Sequence, residues 1–193
     1  MGKSTVLRLF GELGAATLKA DDVVDTLLRE RDVMARLAAL LGPNILGNGG
    51  LDKAKVAALI FGSRELREAV EAILHPLVIE KIDAFAEDLR RRKPDSIAIV
   101  EVPLIYEKGL ASRFDRTVTV FTETETAILR REASGVDPVE ARARMESQMP
   151  ICEKVASADF TVDNGGTLEE TRAKVEALYE ILLRQEKETR VCA

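Results

Sequence analysis

The chain has 193 residues, of which 46% are apolar and 32% charged, with a net charge of −5 and a pI near 5.2. That balance suits one folded domain with a sizeable core. It excludes a disordered chain and a basic nucleic-acid-binding surface. Cys152 and Cys192 are far apart and make no disulfide framework, no zinc spacing occurs, and no apolar run is long enough for a membrane span. No charged-then-apolar signal pattern opens the sequence, so a cytoplasmic protein is expected.

Gly2-Lys3-Ser4-Thr5 reads as the end of a phosphate-binding loop, G-x-x-x-x-G-K-[ST]. Gly2 lets the backbone approach a phosphate, Lys3 reaches the β- and γ-phosphates, and the Ser4 hydroxyl ligates Mg²⁺. Such a loop must run into a helix. Val6, Leu9, Phe10 and Leu13 supply the i, i+3, i+4, i+7 stripe, and Gly14 stops it. Residues 15–18 are expected as a short strand. Asp21 and Asp22 follow, where an α/β sheet binds ligands, and where an Asp also caps a helix. Both readings stand for the pair.

Residues 23–93 read as almost wholly helical. Asn44 to Gly50 is expected as a turn, Asp52 and Ser63 as helix caps, and His75-Pro76 as an interruption with a new helix after it. The lone histidine, His75, is either structural or part of a substrate wall. Residues 97–102 (I-A-I-V-E-V) and 117–121 (T-V-T-V-F) are nearly continuous apolar runs, as in buried parallel strands. Glu101 either faces a metal at the strand's end or opens the next loop.

A helix from Thr122 to Arg131 ends in Arg130 and Arg131, and Ser134-Gly135-Val136 breaks it. Asp137-Pro138 starts another helix, which carries Arg142 and Arg144 and runs to Gln148. Two arginine-bearing helices around a break suit a lid over phosphates, or simply a solvated charged surface. A last strand spans 159–162. Asp163-Asn164-Gly165-Gly166 turns, and Thr167 with Glu170 forms a capping box for the C-terminal helix. The segment from about 186 to 193 reads as a frayed tail. Alternating strands and helices predict an α/β fold with a parallel, doubly wound sheet.

Several segments in order carry a resemblance: Gly2-Lys3-Ser4-Thr5, Ala20-Asp21, Leu74-His75-Pro76-Leu77, Val102-Pro103-Leu104-Ile105-Tyr106-Glu107, Gln148 with Glu153-Lys154, and Ala158-Asp159 through Gly166. Together they resemble the dephospho-CoA kinases, from residue 1 to about 185. The resemblance implies a single P-loop kinase domain over 1–185. Within it, 23–93 would be a helical acceptor-binding region and 130–150 a helical lid. It implies transfer of the γ-phosphoryl of ATP, with Mg²⁺, to the ribose 3′-hydroxyl of dephospho-CoA. Asp21 would be the base and Lys3 its catalytic partner. Gly2, Lys3, Ser4, Thr5, Arg130, Asn164 and Gly165 would bind ATP, with Ser4 on the metal. His75, Pro103, Leu104 and Glu107 would line the acceptor side. No nucleic acid or membrane partner is implied, and the oligomeric state is not read.

Three departures stand out. The strand and the front of the loop that precede G-K-S in the family lie outside the sequence. In this fold that strand is central, so a gap in the sheet is expected without it. A methionine can stand just before G-K-S, so Met1 is compatible with an internal position. Lys19 replaces the first Asp of the family's D-A-D. The lid reads Arg130-Arg131-Glu132-Ala133-Ser134-Gly135, with the second arginine of the family's R-x-x-x-R displaced. Two alternatives are kept: another small P-loop metabolite or nucleotide kinase, and a truncated or degenerate relative that binds a CoA precursor or a protein without catalysis.

Overall fold

The computed structural model describes residues 2–47, 50–133, 135, 137, 139, 142 and 148–191. Its helices are α1 (Lys3–Glu12), α2 (Ala20–Leu27), α3 (Arg31–Leu41), α4 (Lys53–Gly62), α5 (Arg64–Arg92), α6 (Thr124–Glu132), α7 (Ile151–Ser157) and α8 (Leu168–Val191). Its strands are β1 (Ala16–Lys19), β2 (Leu46–Gly47), β3 (Gly50–Leu51), β4 (Ala98–Glu101), β5 (Val118–Phe121) and β6 (Phe160–Asp163). The chain divides into two compact units, Met1–Thr17 with Asp95–Ala193, and Leu18–Pro94, so the division falls inside β1.

The first unit is α/β. β5 and β6 pair in parallel, from Val118 opposite Phe160 to Phe121 opposite Asp163. β1 pairs with β4, beginning where the Ala16 N–H donates to the Ile97 carbonyl at 2.9 Å. These are two separate two-stranded sheets, so β4 and β5 each keep one edge with no strand partner among the described residues. The stripe expected on α1 packs here: Val6, Leu9 and Phe10 are buried with Val120, Val162, Val175, Leu178 and Leu182. Each such side chain contributes about 1.5–3 kcal/mol by leaving water. The Phe10 ring meets Tyr179 of α8 edge-on, with centroids 6.2 Å apart. The capping box of α8 is formed. Glu170 N–H donates to Thr167 Oγ1 at 3.1 Å, and Thr167 N–H donates to the Glu170 carboxylate at 2.9 Å. α8 continues to Val191, past the point at which a tail was expected, because no Gly or Pro follows residue 185 to stop it.

The second unit is mostly helical. α5 packs against α2, α3 and α4, around Val33, Leu37, Ile45, Val56 and Val70. Asp52 and Ser63 cap α4 and α5 as expected, accepting from Lys55 and Leu66 N–H groups at 3.2 Å each.

Three expectations are corrected in this unit. α2 starts at Ala20 with Lys19 as its N-cap, so Asp21 and Asp22 occupy the first turn and neither is the cap. Their charge there still favours the positive end of the helix dipole. The region is not free of strands, since β2 and β3 form a minimal antiparallel pair, Leu46 opposite Leu51 and Gly47 opposite Gly50. Gly50 supplies a φ of +136° that other residues rarely adopt, and the Asp52 N–H extends the pairing to the Ile45 carbonyl at 2.8 Å. Finally, Pro76 does not interrupt α5, which is one helix of 29 residues. An interior proline costs about 3 kcal/mol. Ile73, Leu74 and Leu77 on both sides of it pack against the same core, so a break would forfeit more.

Of the expected lid, residues 134, 136, 138, 140, 141 and 143–147 lie outside the described residues, Arg144 among them, and so does the side chain of Arg131. Asp137 Oδ1 accepts the Val139 N–H at 2.8 Å, while the helix expected to follow it lies mostly outside the described residues.

Candidate active site

The first turn of α1 sets one side of the site. Gly2 is the N-cap in the left-handed region (φ 78°), and its carbonyl accepts from Thr5 and Val6 N–H at 3.1 and 3.2 Å. The first N–H groups of a helix have no intrahelical acceptors. α1 has no acidic residue in its first turn and no side-chain cap, so this end is electropositive. Ser4 Oγ donates to the carboxylate of Glu101, 3.0 and 3.2 Å from its two oxygens. That contact ties the start of α1 to the end of β4.

The turn after β6 meets the same end of α1. A Cβ on Gly2 would collide with the side-chain amide of Asn164, so only glycine fits there. Asn164 is buried and held at three points. Its N–H donates to the Phe121 carbonyl at 2.8 Å, its side-chain oxygen accepts from Thr171 at 2.8 Å, and its carbonyl accepts from Arg130 at 2.6 Å. Arg130 also reaches the Gly166 carbonyl at 3.5 Å. Asp163 accepts from the Gly165 N–H at 2.8 Å and from Lys174 at 3.2 Å. The Gly165 N–H first, and Lys174 second, hold the Asp163 carboxyl below the usual carboxylate range. The structure therefore brings Gly2, Ser4, Arg130, Asn164 and Gly165 together, with Glu101 added to them.

Pro103, Leu104 and Glu107 lie in the half-buried turn after β4. Glu107 anchors that turn. Its Oε1 accepts from Lys154 Nζ at 2.6 Å and from Met149 N–H at 3.1 Å. Burial pushes the Glu107 carboxyl up, but the Lys154 and backbone hydrogen bonds outweigh it, and the net shift is downward. Two buried oxygens, Glu107 Oε2 and Thr122 Oγ1, have no hydrogen-bond partner among the described residues.

Asp21 and His75 belong to the second unit. Asp21 is exposed in the first turn of α2, and His75 is half-buried in the middle of α5. α2 packs on α5. Sequence reasoning assigned no role to Thr122, Thr171 or Lys174. It noted Lys154 only as part of a motif, although a Glu-Lys pair just ahead of an apolar strand was the available signal.

The family model for dephospho-CoA kinase matches residues 1–170. The chain belongs to the dephospho-CoA kinase family. A dephospho-CoA kinase from Geobacillus kaustophilus is 37% identical over 180 residues, covering 92% of this chain and 89% of that protein. One from Aquifex aeolicus is 34% identical, covering 95% and 93%. Among solved structures, a Thermus thermophilus protein superposes with a TM-score of 0.79 at 31% identity, over 94% of this chain and 92% of that one. The dephospho-CoA kinase of Campylobacter jejuni has a TM-score of 0.72 at 23% identity, over 95% and 92%, a likeness of fold. The α/β P-loop kinase fold of this family is thus the fold of this chain. Among the described residues, no helix is long and apolar enough to cross a membrane.

Proposed function

We propose that this protein transfers the γ-phosphoryl group of ATP to the ribose 3′-hydroxyl of dephospho-CoA, giving coenzyme A and ADP. The observation that supports this beyond family membership is the anchoring of α1's electropositive start against both Glu101 and Asn164. Such a helix end favours phosphate, and phosphoryl transfer needs positioning and charge neutralisation more than covalent chemistry.

In the reaction the 3′-oxygen bonds to the γ-phosphorus while the bond to the β–γ bridging oxygen breaks. Asp21 accepts the hydroxyl proton, and ADP departs with the bridging oxygen. Lys3 carries positive charge to the β- and γ-phosphates, and Thr5 extends the phosphate-binding turn. Arg130 holds the Asn164-Gly165 turn, which lies against the adenine nucleotide. His75, Pro103, Leu104 and Glu107 line the acceptor side.

Mg²⁺ fits the donors at the end of β4. The Ser4 hydroxyl and the Glu101 carboxylate are hard oxygen ligands side by side, and Mg²⁺ is commonly held by one or two such groups plus substrate phosphates. When bound, the ion neutralises phosphate charge. The net charge of −5 supports small-molecule partners over nucleic acid, and the enzyme is taken to work in the cytoplasm without a membrane partner.

The test is ATP-dependent conversion of dephospho-CoA to coenzyme A by the purified chain, with nucleoside monophosphates as competing acceptors. Product carrying a 3′-phosphate is expected. Binding of dephospho-CoA without turnover would favour the degenerate relative, and turnover of another acceptor would favour a different small-molecule kinase.

A further inference from the structure

Two buried threonines tie α7 to β5. Thr117, just before β5, and Thr119 within it lie two positions apart, so their side chains share one face. Thr117 Oγ1 donates to the Asp159 carboxylate at 2.8 Å and accepts the Asp159 N–H at 3.2 Å, just past the end of α7. Thr119 Oγ1 lies 3.2 Å from the Lys154 carbonyl inside α7 and 3.3 Å from the Tyr106 hydroxyl. The directions follow from counting hydrogens. A threonine hydroxyl has one, and a carbonyl can only accept. Thr119 therefore donates to Lys154, and Tyr106 donates to Thr119. The Lys154 carbonyl is among the last four of its helix, which lack intrahelical donors. The Ala158 N–H, four residues on, goes to the Val155 carbonyl at 3.4 Å.

A satisfied threonine in a strand is ordinary. This one closes a ring. Tyr106 and Glu107 are neighbours in the turn after β4, and both end on Lys154. Tyr106 reaches its backbone carbonyl through Thr119, while Glu107 Oε1 takes its ammonium at 2.6 Å. The Met149 N–H meets the same Oε1 at 3.1 Å. Both donors converge on one oxygen, and Oε2 has no partner among the described residues. A lysine ammonium sits on a flexible four-carbon stem. Holding the Lys154 backbone therefore narrows where its ammonium can hold the carboxylate.

We propose that Thr119, with Tyr106 behind it, is a positioning residue for the acceptor side: it sets Lys154, and Lys154 sets Glu107. Thr119 acts through these two side chains. The inference rests on the reading that Glu107 lines the acceptor side. An ionised carboxylate only accepts, so the acceptor group that suits Oε2 is a hydroxyl or an N–H. The nucleotide side is held by other contacts, those of Asn164 with Arg130 and Thr171. The effect of Thr119 is therefore confined to the acceptor.

The test measures Kd for dephospho-CoA and for ATP separately, by titration calorimetry on the 193-residue chain. Thr119→Val keeps the shape and removes the hydroxyl. It should weaken dephospho-CoA about fivefold, the worth of one hydrogen bond, and ATP by less than about twofold. Thr119→Ser keeps the hydroxyl and should bind like the parent. Tyr106→Phe leaves the Thr119–Lys154 bond in place and should weaken dephospho-CoA about twofold. With Glu107→Gln already present, Thr119→Val should add nothing further. Equal losses for both ligands would mark a merely structural hydroxyl and overturn the proposal. So would an unchanged Kd, a Thr119→Ser that binds no better than Thr119→Val, or losses from Thr119→Val and Glu107→Gln that simply add. If Thr119→Val does not fold, Tyr106→Phe decides. A loss for dephospho-CoA alone supports the proposal, and equal losses or none overturn it. The two readings fail differently. If Glu107→Gln leaves dephospho-CoA binding unchanged, the acceptor-side role of Glu107 falls and the proposal with it. If Glu107→Gln weakens binding and Thr119→Val does not, only the proposal falls.

Discussion

Lys154 Nζ sits 2.6 Å from Glu107 Oε1, with the two side chains only 9% and 18% exposed. The pair joins α7 to the turn after β4. A charge left in such a place without its partner is costly, so Lys154→Met should destabilise the protein by about 3 kcal/mol. Lys154→Met combined with Glu107→Leu should lose less than Lys154→Met alone, since no carboxylate is then stranded. Urea denaturation of the two variants checks this. Equal losses would mean that the pair is unimportant and only packing was disturbed.

The same pair sets a pH dependence. The folded-state pKa of Glu107 is lowered, because the Lys154 and backbone hydrogen bonds outweigh the upward push of burial. A carboxylate of that kind contributes stability fully above its unfolded pKa, and loses it as pH falls through the lower folded value. The gap in melting temperature between the parent and Glu107→Gln should therefore hold constant at neutral pH and narrow below about pH 4.5. A gap that widens on acidification would reverse the sign.

The capping box of α8 gives a smaller and cleaner effect. Thr167 Oγ1 accepts the Glu170 N–H and the Glu170 side chain returns to the Thr167 N–H. Thr167→Ala should cost about 1 kcal/mol, read as a lowered denaturation midpoint with an unchanged denaturant slope. A loss within error would show that solvent satisfies the helix end equally well.

The elements legible in the sequence were those in which local and long-range demands agree. Ile97 to Val102 and Thr117 to Phe121 are apolar and β-branched in runs too short for helices, and both form strands. The Asp52, Ser63 and Thr167 caps were readable because the cap and its target lie within three residues of each other. What was missed depends on distant partners. Pro76 signals a break locally, yet tertiary packing on both sides carries α5 through it. Asp21 is a residue type favoured at an N-cap, but the chain enters α2 two residues earlier, from Lys19. The burial of Lys154 and the anchoring of Asn164 by Arg130 join residues more than thirty positions apart, which no periodicity displays.

Gly2 is constrained twice. Its φ of 78° is left-handed, and Asn164 occupies the space a side chain would need. Gly2→Ala should cost about 1–2 kcal/mol for the backbone alone, and it should raise the KM for ATP by displacing the first turn of α1. Adding Asn164→Ala should recover part of the loss by relieving the collision, so a double-mutant cycle should show coupling. Strict additivity would mean the two residues do not press on each other.

Asp21 is the residue on which the proposed chemistry depends most. It is exposed in the first turn of α2, and Lys19, not Asp21, is the cap. That removes the N-cap explanation for its presence, though a first-turn carboxylate still gains about 0.3–1 kcal/mol from the helix dipole. The two roles differ in size and in kind. Asp21→Asn keeps the shape and the hydrogen-bonding oxygen but cannot accept the 3′-hydroxyl proton. If Asp21 is the base, kcat should fall by about 10²–10⁴ with the KM values for ATP and dephospho-CoA little changed. The melting temperature should fall by no more than the loss of a helix-dipole contact implies. If Asp21 only favours the helix end, the variant loses a little stability and keeps its turnover. A loss in kcat below tenfold with a normal melting temperature would assign Asp21 to the helix and leave the base to be found elsewhere.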